Sequence, residues 1–349
     1  MASEATPTVY AIIVNFNGWR DTLECLESLL RSDYPSLRVL VCDNSSNDDS
    51  IERIAAWARG EMPAPAPLDP RLSQLGLPPV RKPVSIALCT ELELSNGDVP
   101  RADAKLLVIR CRANLGFAGA NNVALSYMLR REPEAYALLL NNDAVIAPHA
   151  LRAMVTQADH SAGVGAIGVT ILQYYHPDRV ETLAGARFSR VHGMVKWINA
   201  GAARDEPRPI DVPMDFVAGC CLLVPGPALR RVGLMDERYF LYGEDADWCL
   251  RMKGQNLSLA YCPGAEIWHK GGGSVVHGSV LHDYYAVRGT LMVVHKHFPL
   301  SLPIALPYAV LRFILPKLLR GEWRRLRAAA RGYRDFVRYA LRATNEQAA

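Results

Sequence analysis

The sequence has no Cys-x-x-Cys pair, and its eight cysteines lie in apolar or strand-like contexts without the Cys/His spacing of a zinc site. That excludes a disulfide scaffold and a structural zinc domain, and the cysteines read as reduced small hydrophobes of a cytosolic protein. No GxxxxGK[ST] phosphate loop and no Ser/His/Asp triad spacing is present. The opening MASEATPTVY lacks a charged segment followed by an apolar core, so a secretory leader is not expected. The longest apolar run, residues 298–315, is 18 residues and carries Pro299, Pro303, Pro307 and Arg312. A bilayer span needs about 20 apolar residues, so this run argues against a spanning helix. Repeats at solenoid periods are also absent.

What is present is ordinary globular composition over 349 residues: 50% hydrophobic, 21% charged, 25 Gly and 23 Pro. The net charge of +4 is unevenly placed. Nine Lys/Arg between Lys317 and Arg342, against Glu322 and Asp335, make that stretch +7 and leave the rest at −3. A basic tail on a nearly neutral body suggests a polyanionic surface as partner.

Apolar runs at Val9–Phe16, Leu37–Cys42, Leu106–Arg110 and Ala135–Leu140 predict buried strands, separated by segments of helical spacing. This alternation predicts an α/β fold with a mostly parallel sheet flanked by helices. Each run ends in a polar cluster, and open α/β sheets bind ligands at the carboxyl edge, so Asn15, Asp43, Asn114 and Asp143 should converge on one crevice. Seven prolines between Gly60 and Pro83 predict a loop or insertion rather than a packed element. Farther on, a hairpin is expected over 187–197, a helix over 244–253, and helices after His282.

Three clusters carry chemistry. Asn141-Asn142-Asp143 closes a strand, where Asp143 would suit a divalent cation shared with substrate phosphates, or merely cap a turn. Glu244, Asp245 and Asp247 sit at an expected helix start beside aromatic residues. They either complement the helix dipole or include a general base. His269-Lys270-Gly271-Gly272-Gly273-Ser274 lets backbone approach an anion beside an imidazole, or makes a turn. Together the clusters indicate a transferase acting on a nucleotide diphosphate.

The residues VNFNG (14–18), VCDNSSNDDS (41–50), NLGFAGANN (114–122), LLLNNDAVI (138–146), GCCLLVPGPALRRVGLMDERYFLYGEDADWCLR (219–251) and HKGGGS (269–274) resemble the family 2 inverting glycosyltransferases of GT-A fold, nearest their rhamnosyltransferase-like branch. The resemblance covers about residues 9–274. It implies a catalytic domain over 1–278, with a proline-rich insertion near 60–105, followed by a helical, basic C-terminal extension over 279–349. It also implies a dTDP- or UDP-sugar donor contacted by Asn15, Asp43, Asn114, Gly116, Asn121, Asn142 and Asp143. By the same resemblance, Mg²⁺ or Mn²⁺ is held by Asp143 and His269, Asp245 is the base, and Glu244, Asp247 and Trp248 lie on the acceptor side. The family's acidic motif has Asn141 here in place of its first Asp.

The expected acceptor is a glycan or lipid-linked hydroxyl, and the expected location is cytoplasmic, peripheral on the inner face of the membrane through the basic tail. A homodimer through the tail is the alternative. A nucleotidyltransferase would need basic residues in the VNFNG loop, which has none. A nucleic-acid partner is not expected, because the N-terminal motifs offer nothing to one.

Overall fold

The computed structural model describes residues 6–67, 69–99, 101, 103–272 and 278–348, with side chains as far as Arg342. Gly273 and Ser274 of the His269 motif lie outside the described residues. The chain opens with β1 (Val9–Asn15), α1 (Trp19–Leu29), β2 (Leu37–Asp43), α2 (Ser50–Arg59) and a short α3 (Ser73–Gly76). It continues through β3 (Ile86–Thr90), α4 (Glu91–Asn96), β4 (Leu106–Arg110), α5 (Gly116–Arg131) and β5 (Tyr136–Leu140). These five strands are parallel, in the order β3-β4-β2-β1-β5. Their side chains are apolar on both faces because helices cover both sides; Val9, Ala11, Ile12, Ile13, Val39 and Val41 have no exposed surface. Burying each Val, Leu or Ile contributes about 1.5–3 kcal/mol.

The second half of the sheet is mixed. It is built from β6 (Ala144–Ile146), α6 (Ala150–Asp159), β7 (Val164–Gln173) and β8 (Val180–Leu183). A three-stranded flap follows, from β9 (Gly185–Phe188), β10 (Val195–Trp197) and β11 (Phe216–Val217). Next come β12 (Cys221–Pro225), α7 (Gly226–Val232), α8 (Glu244–Gly254) and β13 (Ser258–His269). The main sheet runs on from β5 as β12-β7-β13-β6, with β8 paired to β7. The pattern Gly163-x-Gly165-x-x-Gly168 has dinucleotide-loop spacing, but it leads into and along β7 rather than from a strand into a helix N-terminus.

The proline-rich insertion is not a loop alone. Ile86–Thr90 adds the edge strand β3 beside β4, and Leu72 and Leu75 are buried. The prolines hide this because they precede a strand of only five residues. The segment is docked by the buried Glu27 of α1. Its carboxylate accepts from Trp57 Nε1 at 2.8 Å, the Val80 amide at 2.7 Å and Lys82 Nζ at 3.1 Å. Lys82 also lies 3.6 Å from the Trp57 ring centroid.

The C-terminal helices are α9 (Val280–His297), α10 (Leu302–Ala309), α11 (Leu315–Leu319) and α12 (Trp323–Ala348). A π-turn over Val310–Ile314 joins α10 to α11. The 21 residues Pro299–Leu319 are long and apolar enough to cross a membrane, with mean hydropathy 1.5 and 17% of the stretch buried. α12 lies along α9, burying Ala329 and Phe336, and is not a solvated hairpin. α9 in turn grips α8: the fully buried Asp247 meets His297 at 2.7 Å, Lys296 at 2.8 Å and Arg251 at 2.9 Å. At Gly289 the helix presses on the Tyr242 carbonyl so closely that a Cβ would lie 2.0 Å from it.

Glu27→Ala should destabilise the fold by about 1–3 kcal/mol, because it strands the N–H donors of Trp57 and Val80 and leaves a half-buried ammonium without its carboxylate. Urea unfolding of the variant checks this, and a loss within about 0.5 kcal/mol, the range of ordinary surface substitutions, would show that the insertion is not anchored there.

Candidate active site

The parallel strands end in register, so their last side chains meet. Asn15 stands opposite Asp43, and Asp43 opposite Arg110. The buried Asn15 amide donates to the Asp43 carboxylate at 2.8 Å, and its carbonyl oxygen accepts from Thr22 Oγ1 at 2.8 Å. Asp43 also accepts from the Ser46 amide at 3.0 Å, so this pair forms a rigid floor. Outside it opens a cavity of about 490 Å³, lined by Asp43, Ser46, Thr90, Glu91, Arg110 and Arg112. The insertion thus supplies one wall.

A second cavity of about 240 Å³ lies at the junction of the two sheet halves. Asn114 lines it and accepts from the Asn44 amide at 3.0 Å, while Asn44 accepts from the Leu115 amide at 2.8 Å. Gly116 has φ +70°, and a Cβ there would meet the Phe240 carbonyl at 2.3 Å, so only glycine lets α5 start against that loop. Asn142 is buried on α1, donating to Thr22 Oγ1 at 3.2 Å.

At the floor of this cavity, β13 pairs with β6 so that His269 faces Ala144. The imidazole Nε2 then lies 3.3 Å from Asp143 Oδ1. Glu181 lies 3.1 Å from the other ring nitrogen, Nδ1. Burial opposes a charge on His269, but the two carboxylates outweigh it and hold the imidazole up at about 10. Lys270 is turned the other way, into Asp21 and Glu24 at 2.6 Å each, while its amide donates to the Asp143 carbonyl.

The carboxyl pair Glu244–Asp245 is adjacent. Asp245 is half-buried, and its carboxylate accepts from the amides of Gly219 at 3.2 Å and Ala246 at 2.8 Å. Its pKa is raised by burial, with the backbone amides opposing. The next residue along the turn, Cys220, accepts at its carbonyl from the Asn141 amide at 2.9 Å. Gly219-Cys220 therefore bridges the Asp143–His269 end to the Asp245 end. Glu244 is buried beside them, and among the described residues its Oε2 has no hydrogen-bond partner. Burial, reinforced by the Asp245 charge, pushes its carboxyl well up.

Three expected positions are corrected. Asn121 is buried within α5 and donates to the Phe117 carbonyl, away from either cavity. Trp248 is fully buried with Nε1 on the Gly233 carbonyl, so it presents no face to an acceptor. Asp247 points to the opposite side of α8 from Asp245, into the cations of α9. Sequence reading missed Asn44, Phe240, Tyr242 and Glu181. The first could have been found from its place at the end of β2; Glu181 sits in a strand with no motif.

A sheet whose parallel half ends in such a crevice, with a carboxylate–imidazole pair on one side and a carboxyl pair on the other, has the form of a ligand-binding and catalytic site of an open α/β protein. The pattern described as "Glycosyltransferase like family 2" matches residues 95–280, and "Glycosyl transferase family 2" matches residues 10–66. The chain belongs to glycosyltransferase family 2 and is a transferase of GT-A fold.

It is 27% identical over 173 residues to the N-acetylglucosaminyl-diphospho-decaprenol L-rhamnosyltransferase of Mycobacterium tuberculosis, covering 45% of this chain and 56% of that one. It is 23% identical over 158 residues to the low-salt glycan biosynthesis hexosyltransferase Agl10 of Haloferax volcanii, covering 45% and 49%. The chain therefore spans about half the length of the curated relatives it matches. Among solved structures, it is similar in fold to GalNAc-T7 with UDP, GalNAc and Mn²⁺ (TM-score 0.54, 12% identity, 84% of this chain and 48% of that chain). The mannosyltransferase PcManGT from Pyrobaculum calidifontis, with GDP-Man and Mn²⁺, gives TM-score 0.50 at 15% identity over 98% and 87%.

Both of those structures hold Mn²⁺. Asp143 and His269 present an oxygen and a nitrogen donor 3.3 Å apart. Among the described residues no group of three His, Cys, Asp or Glu could hold a metal by itself. Substrate oxygens would complete such a shell, as they do around cations held by one or two carboxylates.

The raised Glu244 pKa sets a sign for stability. A carboxyl that binds its proton more tightly when folded contributes stability fully present below its unfolded value of about 4.3 and lost as pH rises through its folded value. Glu244→Gln, which mimics the protonated form, should raise the unfolding midpoint at pH 8 and match the parent near pH 4. Thermal unfolding at both pH values checks this, and a variant less stable at pH 8 would contradict it.

Proposed function

We propose that this transferase moves a sugar, rhamnose being the leading candidate, from a dTDP- or UDP-linked donor to a hydroxyl of a glycan or lipid-linked acceptor with inversion. The observation that carries the reading is the pairing of a cation-competent Asp143–His269 end with a separate carboxyl end at Asp245, bridged by Gly219-Cys220. The rhamnosyltransferase relative supports the sugar and the lipid-linked acceptor.

The nucleoside part of the donor would lie over Asn15 and Asp43 and along Asn114 and Gly116, with the diphosphate toward Asn142 and Asp143. A cation held by Asp143 and His269 supplies Lewis acidity toward the departing diphosphate. In one displacement the acceptor oxygen bonds to the anomeric carbon as the bond from that carbon to the diphosphate oxygen breaks, and Asp245 takes the hydroxyl proton. Its raised pKa makes it a stronger base than an exposed Asp. A retaining route would need a second carboxylate as nucleophile. Asp247 is not available for that, being buried among His297, Lys296 and Arg251.

The membrane-facing surface of this reading is the outer side of the C-terminal helices. Leu300, Ile304, Leu311, Leu318, Leu319 and Trp323 are exposed there. On α12, Arg327, Arg331, Arg334 and Arg338 are exposed at helical spacing, while Ala329, Gly332 and Phe336 are buried. An exposed apolar stretch followed along the chain by a basic helix face suits attachment to anionic lipid.

Two measurements test the proposal. Asp245→Asn should lower turnover by about 10²–10⁴-fold while donor binding persists, in an assay over dTDP-, UDP- and GDP-sugars with Mn²⁺ or Mg²⁺. Unchanged turnover would remove the base assignment. Replacing Arg327, Arg331, Arg334 and Arg338 by Gln should abolish flotation with acidic liposomes, since each cation near such a surface contributes about 1 kcal/mol. Undiminished flotation, or conversion of a dimer to monomers on sizing, would instead favour a tail that binds lipid by other residues or builds a dimer.

A further inference from the structure

We infer that Glu181 is a positioning residue for the cation site: it orients the His269 ring so that Nε2, and not Nδ1, faces Asp143. This rests on the cation reading above. Two independent observations carry it. First, both Glu181 carboxylate oxygens lie 3.1 Å from Nδ1, on the side of the ring opposite the Asp143 contact at 3.3 Å. Second, Glu181 occupies an irregularity in β8. Ile171 of β7 pairs with Thr182, and the next residue, Leu172, pairs with Val180, so Glu181 is the extra residue left without a partner in the ladder. Such a bulge re-aims a side chain and is common beside active sites.

Here it reaches across β7, whose other neighbour β13 carries His269 at its end, opposite Gln173. A carboxylate on one imidazole nitrogen fixes the tautomer and makes the other nitrogen the better donor to a metal. The apolar and polar neighbours do not supply a substitute. Lys270 is committed to Asp21 and Glu24, and the Asn141 amide, 3.4 Å away, approaches Nε2 rather than Nδ1. Glu181 is more exposed than the ring it contacts: about a third of its side chain reaches solvent, against 11% for His269. It can therefore be changed without opening the core.

The test is Mn²⁺ binding to the full-length protein with UDP or dTDP present, followed by electron paramagnetic resonance of the free ion. It uses the parent, Glu181→Gln, Glu181→Ala, His269→Ala and the Glu181→Ala/His269→Ala pair. Glu181→Ala should weaken Mn²⁺ binding by about 10–100-fold, the usual loss for an outer partner of a metal-binding histidine. Glu181→Gln should retain part of the affinity, because its amide oxygen still accepts from Nδ1–H. In the His269→Ala background the Glu181 change should add nothing. An equal loss in that background would overturn the inference, since the effect would then not pass through the ring. So would unchanged Mn²⁺ affinity with a raised acceptor KM, which would make Glu181 an acceptor contact. Failure of the parent protein to bind Mn²⁺ would remove the cation reading itself, whereas parent binding with unaffected variants removes only the role of Glu181.

Discussion

The antiparallel pairing of β13 with β6 is the contact on which the geometry of the site depends. It joins only three residue pairs, ending with His269 opposite Ala144. Yet it brings the end of the mixed half of the sheet to the turn that closes the parallel half. A one-residue slip would turn His269 to the other face, because side chains alternate along a strand. The slip is resisted on two sides. Ile267 has no exposed surface and Trp268 almost none, and the Lys270 amide and ammonium tie the strand's exit to the Asp143 carbonyl and to α1.

Buried charge serves the same end elsewhere. Glu27 holds the insertion to α1 and α2, Asp247 holds α9 to α8, and Asp283 draws Lys317 and Arg325 onto the start of α9. Each is a carboxylate that must keep several partners, since losing one leaves a charge in a poorly solvated place. Such hubs add little net stability compared with apolar packing of the same volume, but they permit few alternative arrangements. Around Asp245 the logic is reversed: Asp245 accepts from backbone amides, Glu244 Oε2 has no partner among the described residues, and burial raises the pKa of both.

Much of this was legible in the sequence because it follows from strand periodicity. A continuous apolar run must be a doubly covered strand, and its last polar residue must then sit at the ligand-binding edge. That reasoning places Asn15, Asp43 and Asp143 at the sheet edge without any structure. It fails for Trp248 and Asn121, since a polar or aromatic residue near a helix start reads the same whether it faces a crevice or the core. Only the positions of Gly233 and Phe117 settle which way they point. β3 escaped notice because five residues after a proline cluster are too few to show a period. Glu181 is legible only in register, as the odd residue of a bulge, and register is a property of two strands together.

The closeness of Gly289 to the Tyr242 carbonyl, matched by that of Gly116 to the Phe240 carbonyl, has a bearing on how such enzymes diversify. The segment between these carbonyls leads directly into Asp245 and is caught between the donor-side helix α5 and the tail helix α9, with no space for a methyl group at either contact. The tail is thus not an interchangeable module. A C-terminal region recombined from a relative would have to bring a glycine at the same height on its first helix, or displace the turn before Asp245. Inheritance of a new tail and preservation of the old chemistry are bound together at one backbone oxygen.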